Sequence, residues 1–295
     1  MLGLVLACLI GASSLTSAQT AHSIGIGDVT WDHSTIRVLL VPPENETWWN
    51  ETSVDLVLRA IDTWNDAMVT FASKHQDFAY VSNIKLESTL SSAEQDVDVY
   101  ISWKEQIADG NPAVGLTQSY ARSGLLTRCD ITLADKDFLG IPLTGVIEQT
   151  VAIHEIGHAL GLHHADYSDD VMFSESSFDI AVRPISTLDV YGVAQVFRWR
   201  SISPQYIASN QAPMSDSVSL PLGVEYAYLN EPQQDILTRI ISSFLRYIQT
   251  PEGALNLIVF LIILLGVASL VSAAYSFSRR RGRAEHADAF LKPTR

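Results

Sequence analysis

The chain has 295 residues, of which 47% are hydrophobic and 18% charged, and carries a formal net charge of −14. The last 17 residues hold six Lys/Arg and two Asp/Glu, which leaves 13 basic against 31 acidic side chains, a balance of −18, on the rest. A surface this acidic repels phosphate backbones and excludes nucleic acid as a partner.

Leu2 to Leu15 carry no charge, and Thr16-Ser17-Ala18 supplies the small residues at which a secretory leader is cleaved, so residues 1–18 are expected to be a signal peptide. Cys8 lies in that leader. Cys129 is then the one cysteine left, and no internal disulfide is expected. Ile36–Val41 reads as a strand closed by Pro42-Pro43. From Ser53 to Ser73, Val54, Val57, Ile61, Trp64, Met68 and Phe71 recur at helical spacing. Ile84–Leu86 and Val97–Trp103 come next as strands, the second with the alternation of a half-buried one. Asp109-Gly110-Asn111-Pro112 reads as a turn, and Gly115–Arg122 and Arg128–Ala134 as further strands.

Gly145–Leu160 is expected to be helical and carries the chemistry. Residues 154–164 read His-Glu-Ile-Gly-His-Ala-Leu-Gly-Leu-His-His. His154 and His158 are four apart, so both rings leave one face of the helix. Glu155 projects beside them, where it reaches a water rather than the metal. Gly161 is suited to a left-handed turn that brings a third histidine round from another direction. His163 and His164 compete for that place, and the spacing after Gly161 favours His164. Three neutral imidazoles leave one coordination position open, which marks a catalytic zinc site rather than a structural one. Further on, Ser186 to Trp199 reads as a helix opened by a Ser186 and Asp189 capping pair. Ser201–Gly223 is rich in Ser, Pro, Asn and Gln and reads as a linker. Pro232–Gln249 is amphipathic. Residues 254–278 are uncharged and long enough to cross a bilayer, and the Arg279-Arg280-Arg281-Gly282-Arg283 cluster directly after them is of the kind held on the cytoplasmic side.

The stretch from His154 to His164 resembles the metzincin signature, in which three histidines bind zinc and the glutamate is the general base. Metzincins also place a methionine in a tight turn beneath the metal, and Met172, eight residues beyond His164, stands where the resemblance requires it. That distance is most similar to the matrixin (matrix metalloproteinase) branch, and the likeness runs from about Trp31 to Arg200. Ala165 stands where matrixins usually have Ser, and Phe173 where they have Tyr. The His-Gly-Asp stretch that holds structural ions in the animal enzymes is not seen, which leaves a second zinc or calcium open. Only about 17 residues separate Ala18 from the first strand and none is Cys, so no cysteine-switch latency is expected.

The expected fold class is α+β, a matrixin-like domain with a mixed twisted sheet, an active-site helix and a C-terminal helix, plus one C-terminal transmembrane helix. The expected division is a signal peptide (1–18), a catalytic domain (27–200), a linker and juxtamembrane stalk (201–253), a transmembrane helix (254–278) and a cytoplasmic tail (279–295). The leader, the uncharged segment 254–278 and the arginine cluster after it imply a membrane-anchored protein with its catalytic domain outside the cell and its C-terminus in the cytoplasm. The resemblance implies a zinc endopeptidase with one catalytic Zn2+ on His154, His158 and His164, Glu155 as base for the water, and a protein or peptide substrate. The bilayer would be its second partner. The phenylalanine-to-proline stretch 173–184 would line the specificity pocket, and Gly115–Arg122 would be the edge along which substrate pairs. The rival readings are a catalytically degenerate ectodomain acting as a surface binding module and a hydrolase of non-peptide substrates. Intact ligands and an intact Glu155 argue against the first, and Met172 in its turn against the second.

Overall fold

Alternating apolar residues build the central sheet. In β2 (Thr35–Val41), Ile36, Val38 and Leu40 point into the core, as period-two patterning requires. The computed structural model describes residues 22–91, 96–107, 113–174, 181–201, 215–230 and 255. β2 is flanked by β3 (Lys85–Leu90) and β4 (Val99–Lys104), both parallel to it. Next comes β6 (Leu125–Ala134), parallel to β4, and the edge is β5 (Gly115–Arg122), antiparallel to β6. The order is therefore β3-β2-β4-β6-β5. Parallel neighbours need long crossovers, and α1 (Thr52–Lys74) supplies the one between β2 and β3.

One face of α1 is apolar. Leu56, Val57, Ala60, Ile61, Trp64, Met68 and Phe71 are buried, while Asp55, Arg59, Asp62 and Asp66 keep its other side polar. α1 packs on α2 (Gly145–Ala159), and α2 lies against β5 and β6. Two indoles fix α2 in place. Trp64 Nε1 donates to the Ile153 carbonyl at 2.9 Å, and Trp31 Nε1 donates to the Ala159 carbonyl at 2.9 Å. Ala159 is in the last turn of α2, so its carbonyl has no partner within the helix and the indole supplies one.

A second sheet closes the domain. β7 (Leu162–Ala165) pairs antiparallel with β1 (Ser23–Ile26), and β1 pairs antiparallel with β8 (Ser217–Ser219). α3 (Thr187–Val196) packs on β1 and β7 and opens with a full capping box between Ser186 and Asp189. β1, β7 and β8 are too short to announce themselves by periodicity. The expected helix to Trp199 ends at Val196 and continues as a 3-10 turn, Arg198–Ser201.

The α+β expectation stands, but the membrane-crossing part of the fold class is corrected: among the described residues no helix is long and apolar enough to cross a membrane. The longest, α1, is 23 residues, and it is charged along one side because it covers a sheet rather than facing lipid. The segment 254–278, and with it the expected bilayer contact, lies outside the described residues except for Leu255. The leader 1–18, the amphipathic stretch 232–249 and the tail 279–295 also lie outside them, as does the turn at 109–112. Residues 215–230 fall within the expected linker and stalk, yet they dock on the domain through β8 and the contacts beyond it.

Candidate active site

Thr144 caps the start of α2, its side chain accepting from the Ile147 N–H. The helix then presents His154 and His158 on one face, with ring centroids 4.6 Å apart. It stops at Leu160 because Gly161 takes φ +94, a left-handed conformation favourable only to glycine. A side chain at Gly161 would also strike Val196, its Cβ standing 2.9 Å from Cγ1. The chain turns there and enters β7, which swings His164 to ring distances of 5.4 Å from His154 and 5.1 Å from His158.

One nitrogen from each of the three rings lies within 4.8 Å of the other two. The orientation of two rings is fixed from behind. His154 Nδ1 donates to the Val171 carbonyl at 2.7 Å, and His158 Nδ1 donates to the Leu162 carbonyl at 2.8 Å. With Nδ1–H so engaged, Nε2 is left as the lone-pair donor, the arrangement that metal-binding imidazoles adopt. Burial pushes the His154 ring down to about 4, against the Val171 hydrogen bond, and His158 down to about 3; His164 is lowered for the same reason. At neutral pH all three are therefore uncharged, as ligands must be. The donor set and its backing fit a zinc ion. His163 is exposed and packs instead over β1, where a Cβ on Gly25 would stand 2.7 Å from its own.

Glu155 is buried beside the cluster. Its Oε2 accepts from the Thr117 hydroxyl on β5 at 2.6 Å, and the same hydroxyl lies 3.1 Å from the Glu155 carbonyl oxygen. Burial pushes the Glu155 carboxyl up to about 7, with the Thr117 hydrogen bond pulling the other way. Gly115, two residues earlier on the same strand, gives this carboxyl its room, since any Cβ there would collide with Oε1.

Met172 is fully buried in the turn after β7. Its N–H donates to Asp170 Oδ1 at 2.9 Å, and its carbonyl accepts from Ala165 N at 2.9 Å, so the turn is tied both to itself and to the strand bearing His164. Asp170 Oδ2 in turn lies 2.8 Å from Ser186 Oγ and 3.1 Å from the Tyr226 hydroxyl. Arg183 Nη1 donates to the Asp170 carbonyl at 3.2 Å. Asp189 is pushed well above the usual carboxylate range by burial, and by the neighbouring charge of Asp170.

The cluster opens into a cleft of about 300 Å³ between α2 and β5. Gly115, Leu116 and Thr117 form one wall, and Ile147, Thr150 and Val151 of α2 run along it. Of the stretch 173–184, Phe173, Ser174 and Arg183 line the cleft, while residues 175–180 lie outside the described ones. Gly115 and Thr117 fall in the expected substrate edge and Arg183 in the expected pocket stretch, but sequence reasoning assigned no individual role to any of them or to Asp170. Asp170 alone had a local signal, because Asp two residues before a turn N–H is a common side-chain-to-backbone turn. Nothing near Thr117 announces a partner 38 residues away.

The matrixin family model matches residues 30–198, a span that runs from Thr30 through the three histidines and the Met172 turn to the end of α3. Rat stromelysin-1 is 28% identical over 141 residues, which cover 46% of this chain and 30% of that protein. The chain thus spans about a third of the length of the curated relative it matches. Because the family match extends over more than half of the chain and includes the histidine cluster and the turn beneath it, the chain belongs to the matrixin family.

Proposed function

We infer that this chain is a zinc-dependent endopeptidase, and the single observation that carries the reading is the convergence of His154, His158 and His164 beside a buried Glu155 at the foot of an open cleft. His154, His158 and His164 would hold the ion. When bound, zinc supplies Lewis acidity, polarising the peptide carbonyl and acidifying water. Glu155 takes the proton of the attacking water and returns it to the departing amine. A carboxyl that titrates near neutrality is suited to both halves of that task. Met172, fully buried against Gly157 between the two helical histidines, serves as a packing floor for the cluster. The substrate is a protein or peptide in extended form. β5 supports this: it is a sheet edge with β6 on one side and the cleft along Gly115–Thr117. An extended chain laid there gains backbone hydrogen bonds, and its side chains enter the cleft alternately. The apolar first 18 residues support a place of work outside the cell, and N-terminal sequencing of secreted chain starting at Gln19 checks it.

Degradation of casein by the purified chain, with and without a chelator, tests the activity, and Glu155→Ala tests the mechanism. Activity should disappear with the chelator, return with zinc, and be absent from Glu155→Ala while zinc stays bound. Turnover by Glu155→Ala would take Glu155 out of its role, and chelator-resistant turnover would remove the metal.

A further inference from the structure

Residues 215–230 lie beyond α3 and beyond the segment that matches the matrixin family, yet they return to the domain. They begin with β8, which extends the small sheet by pairing Ser219 with Ser23 and Val218 with Ile24. That sheet is the one in which β7 carries His164. Further along, Ala227 exchanges two hydrogen bonds with Thr187: its carbonyl accepts from the Thr187 N–H at 2.8 Å, and its N–H donates to Thr187 Oγ1 at 3.0 Å. Leu229 N donates to the Ile185 carbonyl at 2.9 Å, and the Asn230 amide reaches the Thr63 carbonyl on α1 at 2.8 Å. The segment is therefore fastened to α1, to the start of α3 and to β1.

Between these anchors Tyr226 aims its hydroxyl inward to Asp170 Oδ2 at 3.1 Å. Asp170 holds the Met172 N–H with its other oxygen, and the residue between them, Val171, accepts the hydrogen bond that orients His154. The Tyr226 hydroxyl is thus linked to a metal-binding ring through Asp170 and one turn of backbone. Its ring is clamped among aromatics, 5.3 Å from Tyr167, 5.7 Å from His22 and 5.7 Å from Tyr228. Burial first, and the charge of Asp170 second, push the phenol well above its ordinary range, so it stays a donor.

We propose that residues 215–230 are an integral strap of the catalytic unit, and that Tyr226 is a positioning residue which sets the Met172 turn, and through it His154, by its hydrogen bond to Asp170. This rests on the zinc-site reading above. Groups hydrogen-bonded directly to a metal ligand typically contribute 10–100-fold to metal affinity, and Tyr226, which reaches His154 through Asp170 and the Val171 carbonyl, stands at the low end of that range. The strap supplies this residue from far along the chain, well past the ligands it serves.

The test uses the full chain and Tyr226→Phe, which keeps the clamped ring and removes only the hydroxyl. Zinc affinity is read by chelator competition, ligand geometry by the visible spectrum of the cobalt-substituted protein, and folding by circular dichroism and thermal midpoint. The expected result is a folded variant whose zinc dissociation constant rises roughly tenfold, with a shifted cobalt spectrum and a loss in kcat rather than in KM. Tyr226→Ala should do the same with a lower thermal midpoint. A Tyr226→Phe protein with unchanged zinc affinity and cobalt spectrum overturns the proposal, even if its thermal midpoint falls, because that is the mark of a merely structural residue. Failure of the unmutated chain to bind zinc sinks the endopeptidase reading itself and this proposal with it.

Discussion

Gly157 and Met172 are packed so tightly that a Cβ on Gly157 would overlap the Met172 sulfur, with Trp64 Cζ2 3.1 Å away on the same side. Gly157 lies on α2 between the two histidines of that helix, so the methionine touches the helix directly under the cluster. Glycine in a helix interior is unfavourable by about 1 kcal/mol relative to alanine, and its place here is explained by the sulfur.

Gly157→Ala therefore reverses the usual helix rule. Better propensity is outweighed by overpacking, and a net loss of roughly 1–3 kcal/mol is expected. Urea denaturation of the metal-free chain measures it. A variant as stable as the original, with unaltered zinc affinity, would show that Met172 moves aside freely.

Thr117→Val removes the side-chain donor that holds Glu155 and keeps shape and strand preference. Hydrogen bonds to charged groups are worth about 1.5–3 kcal/mol, so kcat should fall roughly tenfold or more. KM should change little, and Thr117→Ser should restore most of the rate. If valine and serine behave alike in steady-state kinetics, the hydroxyl does not orient the carboxyl.

Glu155 is also a stability liability whose pH dependence has a definite sign. Its folded pKa, about 7, lies above the ordinary value of 4.5 for a glutamate. The native state thus binds the proton more tightly, and stability falls as pH rises from about 4.5 through 7. Glu155→Gln removes that penalty. The metal-free variant should exceed the original by about 2–3 kcal/mol above pH 8 and match it near pH 4.5, as read by denaturant titration at both values. An equal difference at both pH values would contradict the cause given.

Asp98 works in the opposite sense. Burial alone would raise it, but His33, the Arg37 guanidinium and the Arg37 N–H outweigh that and bring it to about 2. A depressed carboxyl contributes stability that is present above about pH 4 and is lost as pH falls toward 2. Asp98→Asn should therefore cost about 2 kcal/mol at pH 6, and the gap should narrow below about pH 3. Stability curves that run parallel down to about pH 2 would show that the carboxylate charge contributes nothing.

What the chain's own pattern determined was whatever obeys a local period or a fixed spacing. The apolar spacing from Val54 to Phe71 defined α1, alternation marked the strand at Val97–Trp103, and the offsets 154, 155, 158, 161 and 164 singled out a helix, a turn and a third histidine. These features are legible because neighbours along the chain dictate them. The tertiary structure decided what depends on residues far apart in sequence. It brought His164 into the cluster, as the spacing after Gly161 favours, and left His163 outside it, because β7 is held between the turn at Gly161 and its ladder with β1. It paired Thr117 with Glu155 and gave Gly115 its reason. It also folded Ser217–Ser219 and Tyr226, out of a stretch expected to be linker and stalk, onto the strand and the turn that support the site. A three-residue strand and a single hydroxyl carry no period to read; only the completed packing of the core assigns them a place.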